Sequence, residues 1–175
     1  MKIIIALLIS LSLYAQYEQK GTKEYPVTIE GQQGHEFYRG YSLDYGIFSS
    51  KPDFTPKKGI KLLKIAVTKN DVLAMFDMYQ VYKKGIYGEN LDKQKANKLL
   101  EKSLDGIENL AKHGNIRAMA LLGYIYQKGL GKFELNKKEA LKLYEKAAKK
   151  GNALAYYYRA TCYRYNNSCG IKKDI

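Results

Sequence analysis

Two cysteines, two histidines and one glycine-rich turn are the groups in this chain whose spacing invites chemistry. Cys162 and Cys169 fit either a local disulfide or two free thiols; without a Cys-x-x-Cys spacing they are a poor redox pair. His35 stands in a Gly-rich segment and His113 beside Gly114, and both read as solvent-exposed side chains rather than metal ligands or bases. Gly129-Leu130-Gly131-Lys132 is faintly phosphate-loop-like, but it lacks that motif's spacing and its Ser/Thr. No Gly-x-Ser-x-Gly, His-Glu-x-x-His or zinc pattern occurs, and no serine is followed three positions later by lysine. These residues predict no catalytic group, no metal and no cofactor.

The elements that must position any site are more legible. Gly114-Asn115-Ile116-Arg117-Ala118 returns 37 residues later as Gly151-Asn152-Ala153-Leu154-Ala155, and Ala74, Met78, Tyr82, Gly85 and Ala96 precede Ala118, Leu122, Tyr126, Gly129 and Ala140 by 44. Self-similarity at such a period predicts stacked helical hairpins. The 7 extra residues of the longer period fall around Asp105 to Ala111. They amount to about two turns at roughly 3.6 residues per turn, so they can lengthen a helix without rotating its apolar face.

Each unit reads as two helices. Ala118, Leu122, Ile125 and Tyr126 share a face of the first, and Gly129 stops it. Asn136 caps the second, with Glu139 placed as in a capping box, and Ala140, Leu143, Tyr144 and Ala147 form its apolar face. Small residues at Gly123, Ala140 and Ala147 permit a close crossing. Thr55-Pro56 opens another second helix, whose own first helix is missing or survives as Tyr38, Tyr41, Leu43 and Tyr45-Gly46. The helix from about Asn152 to Tyr165 caps the stack, with polar Arg159 where Leu122 stands upstream.

These residues resemble the Sel1-like repeat family, relatives of the tetratricopeptide solenoids, with the pattern A-x-x-x-L-G-x-x-Y-x-x-G-x-G, a short loop, then K-A-x-x-x-Y-x-K-A-A-x-x-G. Ala118 to Gly151 match it closely; upstream, Tyr79 replaces the glycine of the Leu-Gly pair and Leu99-Leu100 the aromatic pair. The resemblance implies an all-α, right-handed α-solenoid whose first helices line a concave surface. It implies a noncatalytic adaptor that binds another protein there, with Gln80, Tyr124 and Thr161 at equivalent positions and Tyr156 and Tyr157 extending the surface. The alternative, that these tyrosines simply pack on neighbouring helices, stays open, whereas Tyr82, Tyr126, Tyr144 and Tyr163 sit on core stripes. Exported members of the family can be immunity proteins that block a secreted toxin. Others are described as weak β-lactamase-like or penicillin-binding proteins, the enzymatic alternative here.

Three segments are expected: a signal peptide over 1–15, an N-terminal arm over 16–54 and the solenoid over 55–175. Met1-Lys2, the apolar run Ile3 to Leu13 and Leu13-Tyr14-Ala15 read as a secretory signal that sends the chain to the periplasm or beyond. The run is short for a membrane span, although an uncleaved anchor is the other reading. In an oxidising compartment Cys162 and Cys169 most simply pair. The arm reads as mobile, a degenerate half-repeat or a chain with one short extended piece around Tyr25, Val27 and Ile29. The net charge of +13 is carried mainly by lysines spread over every hairpin. That coat favours an acidic protein partner over nucleic acid, for which no recognition motif is present. Oligomeric state is not legible.

Overall fold

The computed structural model describes residues 21–39 and 56–164. Every element among them is helical: α1 (Ile29–Arg39), α2 (Pro56–Thr68), α3 (Val72–Lys84), α4 (Lys93–Lys112), α5 (Ile116–Lys128), α6 (Lys137–Lys149) and α7 (Ala153–Arg164). They pack in chain order as the hairpins α1/α2, α3/α4 and α5/α6, with α7 following, so the fold is an α-solenoid.

The repeat is written in the helix ends. Asp71, Asn115 and Asn152 occupy equivalent positions, and each side chain accepts a backbone N–H three residues on, from Ala74, Ala118 and Ala155. The preceding residue is left-handed each time, at Asn70, Gly114 and Gly151. Gly85 and Gly129 end the first helices at φ of 62° and 60°, where a side chain would be strained. Asn136 caps α6 as expected, accepting from the Glu139 N–H at 3.0 Å. The reciprocal half of the capping box is replaced: the Asn136 N–H donates to the Tyr126 carbonyl, and Glu139 accepts from Lys142.

The 7 extra residues lengthen α4, which has 20 residues against 13 in α6. Ile107, Leu110 and Ala111 of the added turns are buried, so the face stays inward. Gly106 in the same turns has no room for a Cβ, since Tyr25 and Val72 atoms lie 2.6 Å from where it would sit.

That contact bears on the arm, for which a mobile or extended chain and a degenerate half-repeat are the alternatives. Residues 29–39 follow the half-repeat: they form α1, which packs on α2 and α3 as the first helix of the first hairpin. Tyr25 and Val27 lie against the core. Asp71 Oδ2 accepts from the Thr28 N–H at 2.7 Å and from its hydroxyl at 2.9 Å, and Lys69 donates to Glu30 at 2.7 Å. Of the suggested remnant, Tyr38 falls in α1, while residues 41–46 lie outside the described residues. The signal segment and Cys169 lie outside them too.

The core has two parts. The larger spans α2 to α5 with large side chains such as Leu63, Phe76, Met78, Ile107 and Leu121; the smaller, on α5 to α7, is Ala120, Ala140, Tyr144, Ala147, Ala148, Ala155 and Cys162. At Gly123 an added Cβ would sit 2.6 Å from Tyr144 Cε1, which is why the expected close crossing needs a glycine. Upstream the sizes are exchanged: buried Tyr79 stands for Gly123 and Leu100 for Tyr144. Tyr163 departs from its expected core position: it is 52% exposed, and its hydroxyl donates to Glu145 of α6 at 3.4 Å. Arg159, expected on that polar end, lies over the Tyr156 ring at 5.2 Å.

Candidate functional site on the first-helix face

The first helices α3, α5 and α7 place an aromatic row along one face of the stack. Phe76 meets Tyr124 edge-on at 6.2 Å, Tyr124 meets Tyr158 at 5.6 Å, and Tyr158 stacks on Tyr144 at 5.2 Å. The Tyr144 hydroxyl donates to Gln127 at 2.9 Å, and burial pushes its phenol pKa well above the usual range.

Above this row opens a cavity of about 210 Å³, lined by Phe76, Gln80, Lys84, Leu121, Tyr124 and Tyr158, with Ile86 and Tyr87 from the α3–α4 turn at its edge. Gln80 is 7% exposed and makes no hydrogen bond with another described residue, so its amide is presented to the cavity. The lining carries donors and one cation and contains no carboxylate. Tyr87 is left-handed at φ 60°, whereas the equivalent position one repeat on is Gly131 at φ 59°. A tyrosine held where the repeat uses glycine is strained, and such residues gather at ligand-binding sites.

The structure brings together two of the five expected contact residues, Gln80 and Tyr124. Thr161 is half-buried and its hydroxyl donates to the Tyr158 carbonyl, away from the cavity lining. Tyr156 and Tyr157 are exposed on α7, and neither lines the cavity. Phe76, Lys84, Tyr87 and Tyr158 were not anticipated. Tyr87 in place of the second glycine of the repeat's turn was the available signal, and the other three required the packing of successive helices.

His35 corrects a second expectation. It is 7% exposed rather than solvated, with Nδ1 2.9 Å from Asp77 Oδ2 and 2.8 Å from Arg117 Nη2. Arg117 donates to the same Asp77 oxygen. A bare Nδ1 accepts from the guanidinium, and a protonated one donates to the carboxylate, so either tautomer fits. The cluster joins α1, α3 and α5 beneath the first-helix face. Its sequence signal lies in the repeats, where Asp77 corresponds to Leu121 and Tyr158, and Arg117 to Leu73 and Leu154: an acid and a base replace core residues in neighbouring units. His113 is exposed as expected, with Nδ1 2.9 Å from the Asn109 carbonyl. Among the described residues no group of three or more His, Cys, Asp or Glu could hold a metal, and no helix is long and apolar enough to cross a membrane.

The Sel1 repeat family model matches residues 36–71, 72–106 and 116–152, more than half of the chain. No curated protein matches it. Among solved structures, a Sel1 repeat protein from Oxalobacter formigenes is similar at 23% identity and a TM-score of 0.40, over 83% of this chain and 51% of that one. The protein c5321, a protective antigen of uropathogenic Escherichia coli strains with an SLR fold, is similar at 20% identity and a TM-score of 0.36, over 78% of this chain and 33% of that one. The chain therefore spans about half and about a third of these two proteins. Repeats of this kind generally mediate protein–protein interaction. With three matched units on a helical solenoid, the chain belongs to the Sel1 repeat family.

Proposed function

We propose that the protein is a noncatalytic adaptor that binds a partner protein on the face formed by α3, α5 and α7. The observation that carries this reading is the first-helix cavity, where successive repeats together present the buried Gln80 amide and the Tyr124 ring. Such a surface is built by stacking and is available before the partner arrives, which lowers the ordering cost of binding. The lysine coat raises the encounter rate with an acidic partner. Export belongs to the same proposal, resting on the apolar run Ile3 to Leu13, and an oxidising destination would let Cys162 pair with Cys169. Its sharpest form is an immunity protein whose partner is a secreted toxin.

The test is capture from the native cell envelope, followed by calorimetry with the purified partner, comparing the natural chain with a Gln80→Glu, Tyr124→Glu double variant of unchanged helical circular dichroism. Stoichiometric binding that the variant loses supports the reading, and inhibition of a toxic partner supports the immunity form. Equal binding by both chains, or no stoichiometric partner, overturns the assignment of this face.

A further inference from the structure

We propose that the cavity is a carboxylate subsite, which takes one glutamate or aspartate side chain of the partner protein and is closed on one side by Tyr87. The inference rests on the adaptor reading above and goes beyond it by naming the group recognised and the residues that recognise it.

Size comes first. At about 210 Å³ the cavity is smaller than the roughly 300–1,000 Å³ that hold a whole small-molecule ligand, and it suits one anchoring side chain. Chemistry then selects the side chain. The groups around the cavity are an ammonium, Lys84, a primary amide, Gln80, and the phenols of Tyr87, Tyr124 and Tyr158. All can donate hydrogen bonds, one is positive, and no acid stands among them. A cationic side chain would be repelled by Lys84. A carboxylate can accept from the Lys84 ammonium and the Gln80 amide, and its methylene stem has Phe76, Ile86 and Leu121 as walls.

Two further observations point to a ligand there. Gln80 is more than nine-tenths buried as a residue, and its amide, which makes no hydrogen bond with another described residue, is open only to the cavity it lines. Tyr87 holds a left-handed backbone in a turn whose sibling uses glycine. At that sibling, Gly131, an added Cβ would come within 2.4 Å of Leu104, so a side chain is excluded. In the α3–α4 turn the side chain is retained despite the strain, and it forms part of the cavity wall.

The test titrates the ¹⁵N-labelled full chain with the peptides acetyl-Ala-Glu-Ala-amide and acetyl-Ala-Gln-Ala-amide at low salt, following the Gln80 side-chain NH₂ signals by NMR. The expected result is a saturable shift of those signals by the Glu peptide, with the Gln peptide ~10-fold weaker, as loss of a charged hydrogen-bonding partner implies. Lys84→Gln, at an exposed site, weakens the Glu peptide to the level of the Gln peptide and leaves the Gln peptide unchanged. Tyr87→Gly, which keeps a backbone suited to the turn, weakens both. Equal affinity for the two peptides, no saturable shift at Gln80, or indifference to Lys84→Gln overturns the subsite. If it is overturned while partner capture still depends on Gln80 and Tyr124, the adaptor reading stands without it. If the peptides bind as expected and capture does not depend on this face, the adaptor reading fails and the subsite remains.

Discussion

The two parts of the core use the same repeat with opposite means. Around α2 to α5 the helices are held by large apolar side chains and by a buried cluster of His35, Asp77 and Arg117. Around α5 to α7 the contact is mostly alanine, with Tyr144 as the one large side chain fully buried there. Large side chains remove more apolar area from water, while small ones allow closer crossing and depend on steric fit. The first region is thus vulnerable to losing one partner of a buried charge, a hazard the alanine contact of the second lacks, and the second depends on the fit of Gly123 against Tyr144.

The largest effect is expected where that buried acid loses its arginine. Arg117→Ala takes the permanent cation from buried Asp77, leaving His35 beside it, and should cost roughly 3–5 kcal/mol in urea unfolding. Replacing both Asp77 and Arg117 by leucine, the residue at Leu121 and at Leu73 and Leu154, should recover most of that loss. If the double variant is as unstable as the single one, the cluster contributes more than pairing. In the second region, Gly123→Ala drives a methyl group into the Tyr144 ring and should cost about 1–3 kcal/mol. The same test on the other hairpin, Tyr79→Gly with Leu100→Tyr, would show whether the exchanged sizes are interchangeable; full recovery of stability would mean the two crossings have one geometry.

Smaller effects sharpen the contrast. Asn152→Ala removes the side-chain acceptor for the Ala155 N–H and should destabilise by ~1 kcal/mol, read as a lower thermal midpoint. Asp71→Ala should exceed it, because Asp71 also accepts from Thr28 and so holds the N-terminal segment; equal losses would show that the Thr28 contact adds nothing. Smallest is Tyr87→Gly, in which relief of the left-handed backbone opposes the greater freedom of glycine in the unfolded chain, leaving a change below about 1 kcal/mol. A loss well above that would mean Tyr87 is a packing residue rather than a wall of the ligand cavity.

What was readable before the fold was known, and what was not, divides along contact distance. Asn115, Gly129 and Asn136 act on backbone within a few residues, so their roles follow from local geometry. The lengthening of α4 follows from counting, since about two added turns return a helix to the same face. His35 lies 42 positions from Asp77 and 82 from Arg117, and nothing in its Gly-rich surroundings signals burial. Tyr163 was misread for a related reason: its helical spacing is that of a core stripe, but a stripe is buried only where another helix covers it.

By itself the sequence determined the repeat, its caps and turns, and which helices pair, because those depend on short-range backbone chemistry and on periodic apolar faces. It also marked Gln80 and Tyr124 as equivalent positions on successive first helices. Only the tertiary structure decided that Gln80 is buried at a cavity with Lys84, Tyr87 and Tyr158, and that α1 completes the first hairpin. Those facts depend on how the hairpins stack, and side chains far apart in the chain meet only when that stacking brings their helices together.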